Sequence, residues 1–313
     1  MMIISASRRT DIPALYSEWF FRRLQEGLVY VPNPRNSKRL TKVELDPVGV
    51  DCLVFWTKNP RAMLSKLPAL DAMGYRYYFQ FTLTPYDQNL EKRLPPKTEL
   101  IETFKRLSDK VGPHRVIWRY DPIIFSEKFD EVYHLQQFEA ICKALAGYTK
   151  QCTISFLDMY AKIRGRMKIM RFREAEETMR KRFSQGVVAI AKEHKLIVAS
   201  CSEQGDLAAC GIKPASCIDA ALIAQLAGYP LAAKKDANQR NACGCCESID
   251  IGVYNSCSLG CLYCYATTSE KKALHFAKQH DPHSPMLSGY PQGDEVVTMK
   301  KTLSPKTAQL TLF

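Results

Sequence analysis

The chain has 313 residues, enough for one large core or two smaller ones, and its 46 % hydrophobic and 24 % charged content excludes a disordered or fibrous protein. Its opening MMIISASRRTDIPA is too short an apolar run for a secretory signal, and no stretch approaches the roughly 20 apolar residues of a membrane span, so a cytoplasmic protein without membrane association is expected. A formal charge of +12 favours a polyanionic partner such as DNA, and twelve cysteines in a reducing compartment read as thiols or metal ligands rather than disulfides.

Six runs rich in β-branched and aromatic residues read as strands, at 2–8, 51–58, 75–84, 115–121, 152–158 and 195–203. A helix follows the first, with Asp11 as its cap, Pro13 in its first turn and Gly27 at its end. Further helices fit 60–72, 97–110, 129–147, 172–194 and 216–227, and residues 28–49 read as a hairpin. Strands that alternate with helices and are apolar enough to be covered on both faces form parallel sheets with right-handed crossovers. The expected fold is α/β, a partial parallel (β/α)6 barrel of the TIM type over 1–228, with a doubly wound open sheet as the alternative. No seventh or eighth unit is visible after residue 228; a cysteine-rich segment over 229–280, ending in a helix, and a flexible tail over 281–313 are expected instead.

In either architecture chemistry belongs at the carboxyl ends of the strands. Polar residues gather there: Arg8, Arg9 and Asp11, then Lys58 and Asn59, then Gln80, Thr82 and Thr84, then Arg119 and Asp121, then Asp158 and Tyr160, then Cys201 and Glu203. Helix caps and structural ion pairs account for part of such a set. Arg9, Lys58, Arg119, Asp121, Asp158 and Glu203 are the candidates for catalysis or for binding cofactor and substrate.

Half of the cysteines lie between Cys243 and Cys264. Cys257, Cys261 and Cys264 form a C-x3-C-x2-C pattern in CSLGCLYCY, with Gly260 where the backbone must turn tightly. Three thiolates so spaced can hold three irons of a [4Fe-4S] cube and leave the fourth open, whereas an electron-transfer cluster needs a fourth protein ligand. A structural zinc site, the alternative, needs four ligands, and Cys243, Cys245 and Cys246 are placed to complete one. The same three cysteines are candidates for a second cluster, for closing the first or for redox thiols, and Cys201, Cys210 and Cys217 lie where they could meet them. Cys52, Cys142 and Cys152 read as buried apolar thiols.

The phrases SASRRTDIPA, FWTKNP, YYFQFTLT, WRYDPI and SFLDMY, with the closing CSLGCLYCYA, resemble the bacterial domain of unknown function family 1848 over nearly the whole chain. The resemblance implies a cysteine cluster similar to that of radical S-adenosylmethionine enzymes, including the spore photoproduct lyase branch, with Tyr263 as the aromatic residue before the last cysteine. In those enzymes the motif follows the first strand and a Gly-Gly-Glu follows the second. Here the loop after the first strand is SRRTD, no Gly-Gly-Glu is present, and the cysteines come last, so the C-terminal segment must fold back over the mouth of the sheet.

Between Lys162 and Arg182 nine Lys or Arg stand against three Glu, a density suited either to phosphate contacts or to a solvated helix face. The last residues read QLTLF and look like the peptide that bacterial repair proteins insert into the sliding clamp, with Leu310, Leu312 and Phe313 as apolar anchors and Gln309 as a hydrogen-bonding group. The leading expectation is a [4Fe-4S] enzyme using S-adenosylmethionine, acting on DNA or a damaged base. Its rival is a noncatalytic nucleic-acid-binding protein stapled by zinc or a closed cluster.

Overall fold

In the computed structural model of the protein, residues 2–203 and 207–300 are described. The first strand, β1 (Ile3–Ala6), leads into α1 (Ile12–Leu15) and α2 (Ser17–Gln25), followed by the hairpin β2 (Leu28–Asn33) and β3 (Asn36–Glu44). Next come β4 (Cys52–Thr57), a 3-10 turn (Pro60–Met63), α3 (Leu67–Ala72), β5 (Tyr77–Thr82), α4 (Lys97–Val111), β6 (Val116–Ile123) and α5 (Glu131–Ala144). The chain continues through β7 (Gln151–Phe156), α6 (Arg164–Ile169), α7 (Glu177–Glu193), β8 (Ile197–Ser200), β9 (Lys213–Pro214), α8 (Ala220–Ala227), β10 (Ile249–Asp250), α9 (Glu270–Gln279) and β11 (Val296–Lys300).

All six expected strands are present, and every strand pair in the main sheet is parallel. The sheet has eight strands, not six, in the order β10-β1-β4-β5-β6-β7-β8-β9. The two extra strands, β9 and β10, are two residues long, too short to carry a period of two, so their sequence shows no strand signal. Residue 228 therefore does not end the sheet, because the cysteine-rich segment supplies β10. Among the described residues β9 and β10 do not pair with each other.

Alternation along the strands builds two cores. Phe55, Phe79, Phe81, Trp118 and Tyr120 face one way and pack against helix residues Phe20, Leu70, Phe104, Phe138 and Phe183. Ile3, Cys52, Val54, Tyr78 and Ile117 face the other way and pack against Ile218, Ile223 and the cysteines of the segment that runs from β9 to β10. Tyr78 Oη donates to Cys217 O at 2.7 Å and Gln80 Nε2 donates to the same carbonyl at 3.0 Å, which ties that segment to the middle of the sheet. The buried fate expected for Cys52, Cys142 and Cys152 follows from their places in these cores.

The helix expected after β1 is broken in two. Asp11 caps α1 by accepting from Ala14 N at 3.0 Å, but the helix stops at Tyr16, whose hydroxyl donates to Ser256 O at 2.5 Å. The tail is also shorter than expected from residue 281. Trp19 Nε1 donates to Ser284 O and Tyr30 N to Pro285 O, both at 2.9 Å, Leu287 is buried, and β11 pairs in parallel with β3. The segment Gln309 to Phe313 lies outside the described residues. Among those described, no helix is long and apolar enough to cross a membrane.

His134 of α5 is wholly buried and joins two strand-end groups. Ile124 O can only accept, so Nε2 donates to it at 3.0 Å and Nδ1 accepts from Tyr120 Oη at 2.8 Å. Burial outweighs the Ile124 hydrogen bond and lowers the imidazole from 6.5 to about 4. The unfolded chain then binds the extra proton, so the stability held above the usual value is lost as pH falls towards the folded one. Urea unfolding between pH 7 and 4 is expected to show a loss of about 3 kcal/mol from this group, absent in His134→Gln.

Candidate metal centre and active-site cavity

A cavity of about 300 Å³ opens at the carboxyl ends of the strands. Ser7, Arg8 and Arg9 after β1, Trp56 of β4 and Lys58 just after it, Arg119 and Asp121 of β6, Asp158 after β7 and Cys201 after β8 all line it. Cys257, Cys261 and Cys264 line it too. The C-terminal segment does fold back over the mouth, and it brings the triad to the strand ends that the sequence marks as the reactive side.

The cysteine loop is held like an added strand. Arg93 N donates to Leu259 O at 3.1 Å, Leu262 N donates to Leu90 O at 2.9 Å, and Glu91 bridges Cys261 between them. Gly260 has φ 74°, a left-handed conformation that the tight turn leaves to glycine; a Cβ there would displace only the mobile end of Arg93. Cys264 N closes the turn on Cys261 O at 3.1 Å, and Arg166 Nη2 donates to Cys264 O at 2.9 Å. The triad thiols are half-buried, unlike Cys52, Cys142 and Cys152.

Beneath the loop sits a carboxylate that the sequence does not single out. Glu91 is 1 % exposed and accepts from Lys58 Nζ and Thr84 Oγ1 at 2.8 Å each, and from Lys97 Nζ and Tyr263 Oη. Burial alone raises a carboxyl, but Lys58 and Lys97 outweigh it and hold Glu91 at about 2. Burial pushes the Cys257 thiol up to about 12 and lifts Cys261 well above its ordinary value against the pull of Lys58. Such thiols stay protonated unless a cation joins them, and a bound metal deprotonates its thiol ligands outright. Asp11, pushed up to about 6 by burial, accepts from Lys58 N at 2.7 Å and so fixes the start of the Lys58 loop.

A second anchor joins β10 to β1. Asp250 accepts from Ser7 Oγ at 2.6 Å, Arg8 N at 2.8 Å and Gly252 N at 3.0 Å, with Arg8 Nε and Arg9 Nε each at 4.0 Å. At Gly252 a Cβ would overlap Ser7 Oγ and lie 2.6 Å from Ser7 Cβ. Gly252→Ala is therefore expected to push β10 off β1 and cost about 1–3 kcal/mol in urea unfolding, with Ser7→Gly restoring most of it.

Of the strand-end candidates, Arg9, Lys58, Arg119, Asp121 and Asp158 line the cavity, whereas Glu203 does not. Its carboxylate accepts from Ser155 Oγ at 2.8 Å and Phe156 N at 2.9 Å, behind the wall, because the end of β7 offers donors there. Arg119 is buried, paired with Asp121, and lies 5.1 Å from the ring of Trp56; Arg8 lies 5.8 Å from the same ring. Asp158 pairs with Arg240. Cys243 and Cys245 line the cavity but Cys246 does not, since its thiol donates to Ile218 O at 3.4 Å in the core below. Cys201 and Cys217 stand at the wall in its place, and Cys210 faces Lys181 O. Much of the basic run is paired: Arg171 and Arg173 with Glu127, Lys181 with Glu177, and Arg182 with Glu131.

Among the described residues, no three His, Cys, Asp or Glu side chains are arranged to hold a single metal ion. Cys257, Cys261 and Cys264 line one cavity all the same; a four-iron cube takes its thiolates at separate corners, farther apart than the ligands of a lone ion.

No curated protein matches the chain. Among solved structures, the FimX EAL domain of Xanthomonas citri in complex with c-diGMP aligns over 64 % of this chain and 89 % of its own, at 10 % identity and a TM-score of 0.23, too slight a likeness to carry an argument. The sequence model of the domain of unknown function DUF1848 matches residues 3–266, from β1 through the last cysteine of the triad, and the chain belongs to that family.

Proposed function

We propose that the protein is a cytoplasmic iron-sulfur enzyme of the radical S-adenosylmethionine kind, built on a sheet rolled into a (β/α) barrel and acting on DNA or a damaged base. The observation that carries this reading is the meeting of Cys257, Cys261 and Cys264 with Arg9, Lys58, Arg119, Asp121 and Asp158 around one cavity. The same cavity supports the rolled sheet. At about 4.8 Å per strand a flat sheet would hold the ends of β1 and β8 roughly 24 Å apart, yet Ser7 and Cys201 line one space.

The triad thiolates would hold the cluster at three corners. A reduced cluster there would supply one electron to the sulfonium of S-adenosylmethionine, breaking a carbon-sulfur bond and freeing a deoxyadenosyl radical that takes hydrogen from the substrate. Lys58, bonded to Glu91 and acting on Cys261, balances thiolate charge. Arg9, Asp121 and Asp158 are placed to bind the charged ends of cofactor and substrate.

The rim favours a nucleic acid. Tyr160, Tyr254 and Tyr265 are exposed there, with Tyr160 against Tyr265 at 5.5 Å and with Arg9 and Lys162 each 5.2 Å from the ring of Tyr254. Aromatic rings interleaved with cations stack bases at about 1–3 kcal/mol each while the cations meet phosphates. The terminal Gln309, Leu310, Leu312 and Phe313 belong to the same reading as a sliding-clamp peptide; deleting Gln309 to Phe313 is expected to abolish capture on immobilised clamp, and unchanged capture removes that part.

The test is anaerobic purification, metal and sulfide analysis, then dithionite with S-adenosylmethionine. Iron with sulfide and release of 5′-deoxyadenosine is the expected result. Zinc alone at one per chain overturns the whole reading, and iron without deoxyadenosine removes the catalytic step.

A further inference from the structure

Four other thiols line the same cavity. Cys201 follows β8, Cys217 follows β9, and Cys243 and Cys245 come from the loop before β10, so three segments distant in sequence meet there. Cys201 Sγ lies 3.1 Å from Cys217 Sγ. Cys217, Cys243 and Cys245 lie in one buried cluster, with Cys201 packed against it. At 3.1 Å the first pair is not a disulfide, whose sulfurs are about 2.05 Å apart.

The backbone under these thiols is held by buried groups of the sheet and of the loop before β10. Buried Tyr78 and Gln80 hold Cys217 O, and Cys201 N donates to Ile154 O at 3.0 Å. Asp236, itself buried, donates from its amide to Cys245 O at 2.9 Å, and Cys243 N donates to Arg240 O at 2.9 Å. Cys217, Cys243 and Cys245 share the second core with Cys52, but unlike it they also open on the cavity, and Cys217 touches both Cys201 and a cation. Arg119 Nη1 donates to Cys217 Sγ at 2.7 Å, and the Arg8 guanidinium acts on Cys245 and Cys217 from the other side of Trp56.

We infer that Cys201, Cys217, Cys243 and Cys245 are the four ligands of a second iron-sulfur cluster, separate from the triad and lining the same cavity. Four thiolates around an iron-sulfur cube leave a net negative charge, which Arg119 and Arg8 meet. All four thiols open on the cavity, which has room for a cube. The assignment deepens the proposed function and rests on it in one respect. With Cys243 and Cys245 used in their own site, and Cys246 turned into the core, the triad keeps three protein ligands and an open iron.

The experiment is iron and sulfide analysis with electron paramagnetic resonance on anaerobically reconstituted protein. The wild type is expected to hold about eight irons and eight sulfides per chain, and both Cys201→Ser/Cys217→Ser and the Cys257→Ala/Cys261→Ala/Cys264→Ala triple variant about four each. Adding S-adenosylmethionine should shift the signal left in the Cys201/Cys217 variant and not the one left in the triple variant. Cys246→Ala, equally buried, should keep all eight, and thermal unfolding identifies any variant that has merely failed to fold; for such a variant Cys245→Ser is measured instead. Four irons in the wild type, all lost with the triad, overturn the second cluster. Zinc lost only with Cys201 and Cys217, or a two-dalton mass loss from a Cys201-Cys217 disulfide in metal-free protein, overturns it as well. Four irons lost only with Cys201 and Cys217 uphold this site and instead sink the triad reading.

Discussion

Replacing Cys261 by alanine is expected to empty the triad completely. A cube attached at only two corners is not retained, so the variant should lose the triad's share of iron and sulfide and release no 5′-deoxyadenosine with dithionite and S-adenosylmethionine. Cys257→Ala and Cys264→Ala should do the same, and the three losses should not add, because each already removes the whole group. The fold should survive. The loop carrying Cys261 is tied down by backbone bonds at Leu259 and Leu262 and by Arg166 on Cys264 O, none of which uses a thiol. Iron and sulfide counts beside a circular dichroism spectrum check this, and a variant that keeps its full iron content contradicts the assignment.

Glu91→Ala is expected to be the most destabilising single change near the site. The carboxylate is 1 % exposed and neutralises two ammonium groups, of which Lys58 is 13 % exposed. Removing one partner of a buried pair leaves the other charge unpaired in a poor solvent for it, which costs about 3–5 kcal/mol. Glu91→Gln keeps the volume and should fall between the variant and the wild type. The sign of the pH dependence is set by the carboxyl being held at about 2, below its usual 4.5. Its contribution is full above the usual value and is lost as pH falls through the folded one, so the gap between wild type and Glu91→Gln should close as pH drops from 5 to 2. Denaturant unfolding across that range reads it directly.

Much of the fold was legible because its signals are local. The runs around Phe55, Phe79, Trp118 and Ile154 are apolar on both faces, which only a covered parallel strand explains, and Asp11 with Pro13 marks a helix start without reference to anything distant. The spacing of Cys257, Cys261 and Cys264 is equally local, and so is the turn at Gly260. The break at Tyr16 was not legible, since no local residue marks it, and the hydroxyl bond that Tyr16 makes is to Ser256, far away in sequence. The ordered segment through β11 was hidden by its Pro, Gly and Ser content, which reads as tail until Trp19 and Tyr30 are seen to bind it.

By itself the sequence determined the parallel α/β scaffold, the polar strand ends and a three-thiol motif suited to a cluster. Tertiary structure alone decided that this motif meets those strand ends, that Glu203 and Cys246 turn away, and that Glu91 and Asp250 anchor the two halves of the site. It also decided which of the remaining cysteines meet. The reason is physical: spacing along a chain sets which residues share a face of one strand or helix, whereas convergence depends on how separate segments pack. Cys201, Cys217, Cys243 and Cys245 share no local period, and only the crossing from β9 to β10 over the sheet brings their thiols together.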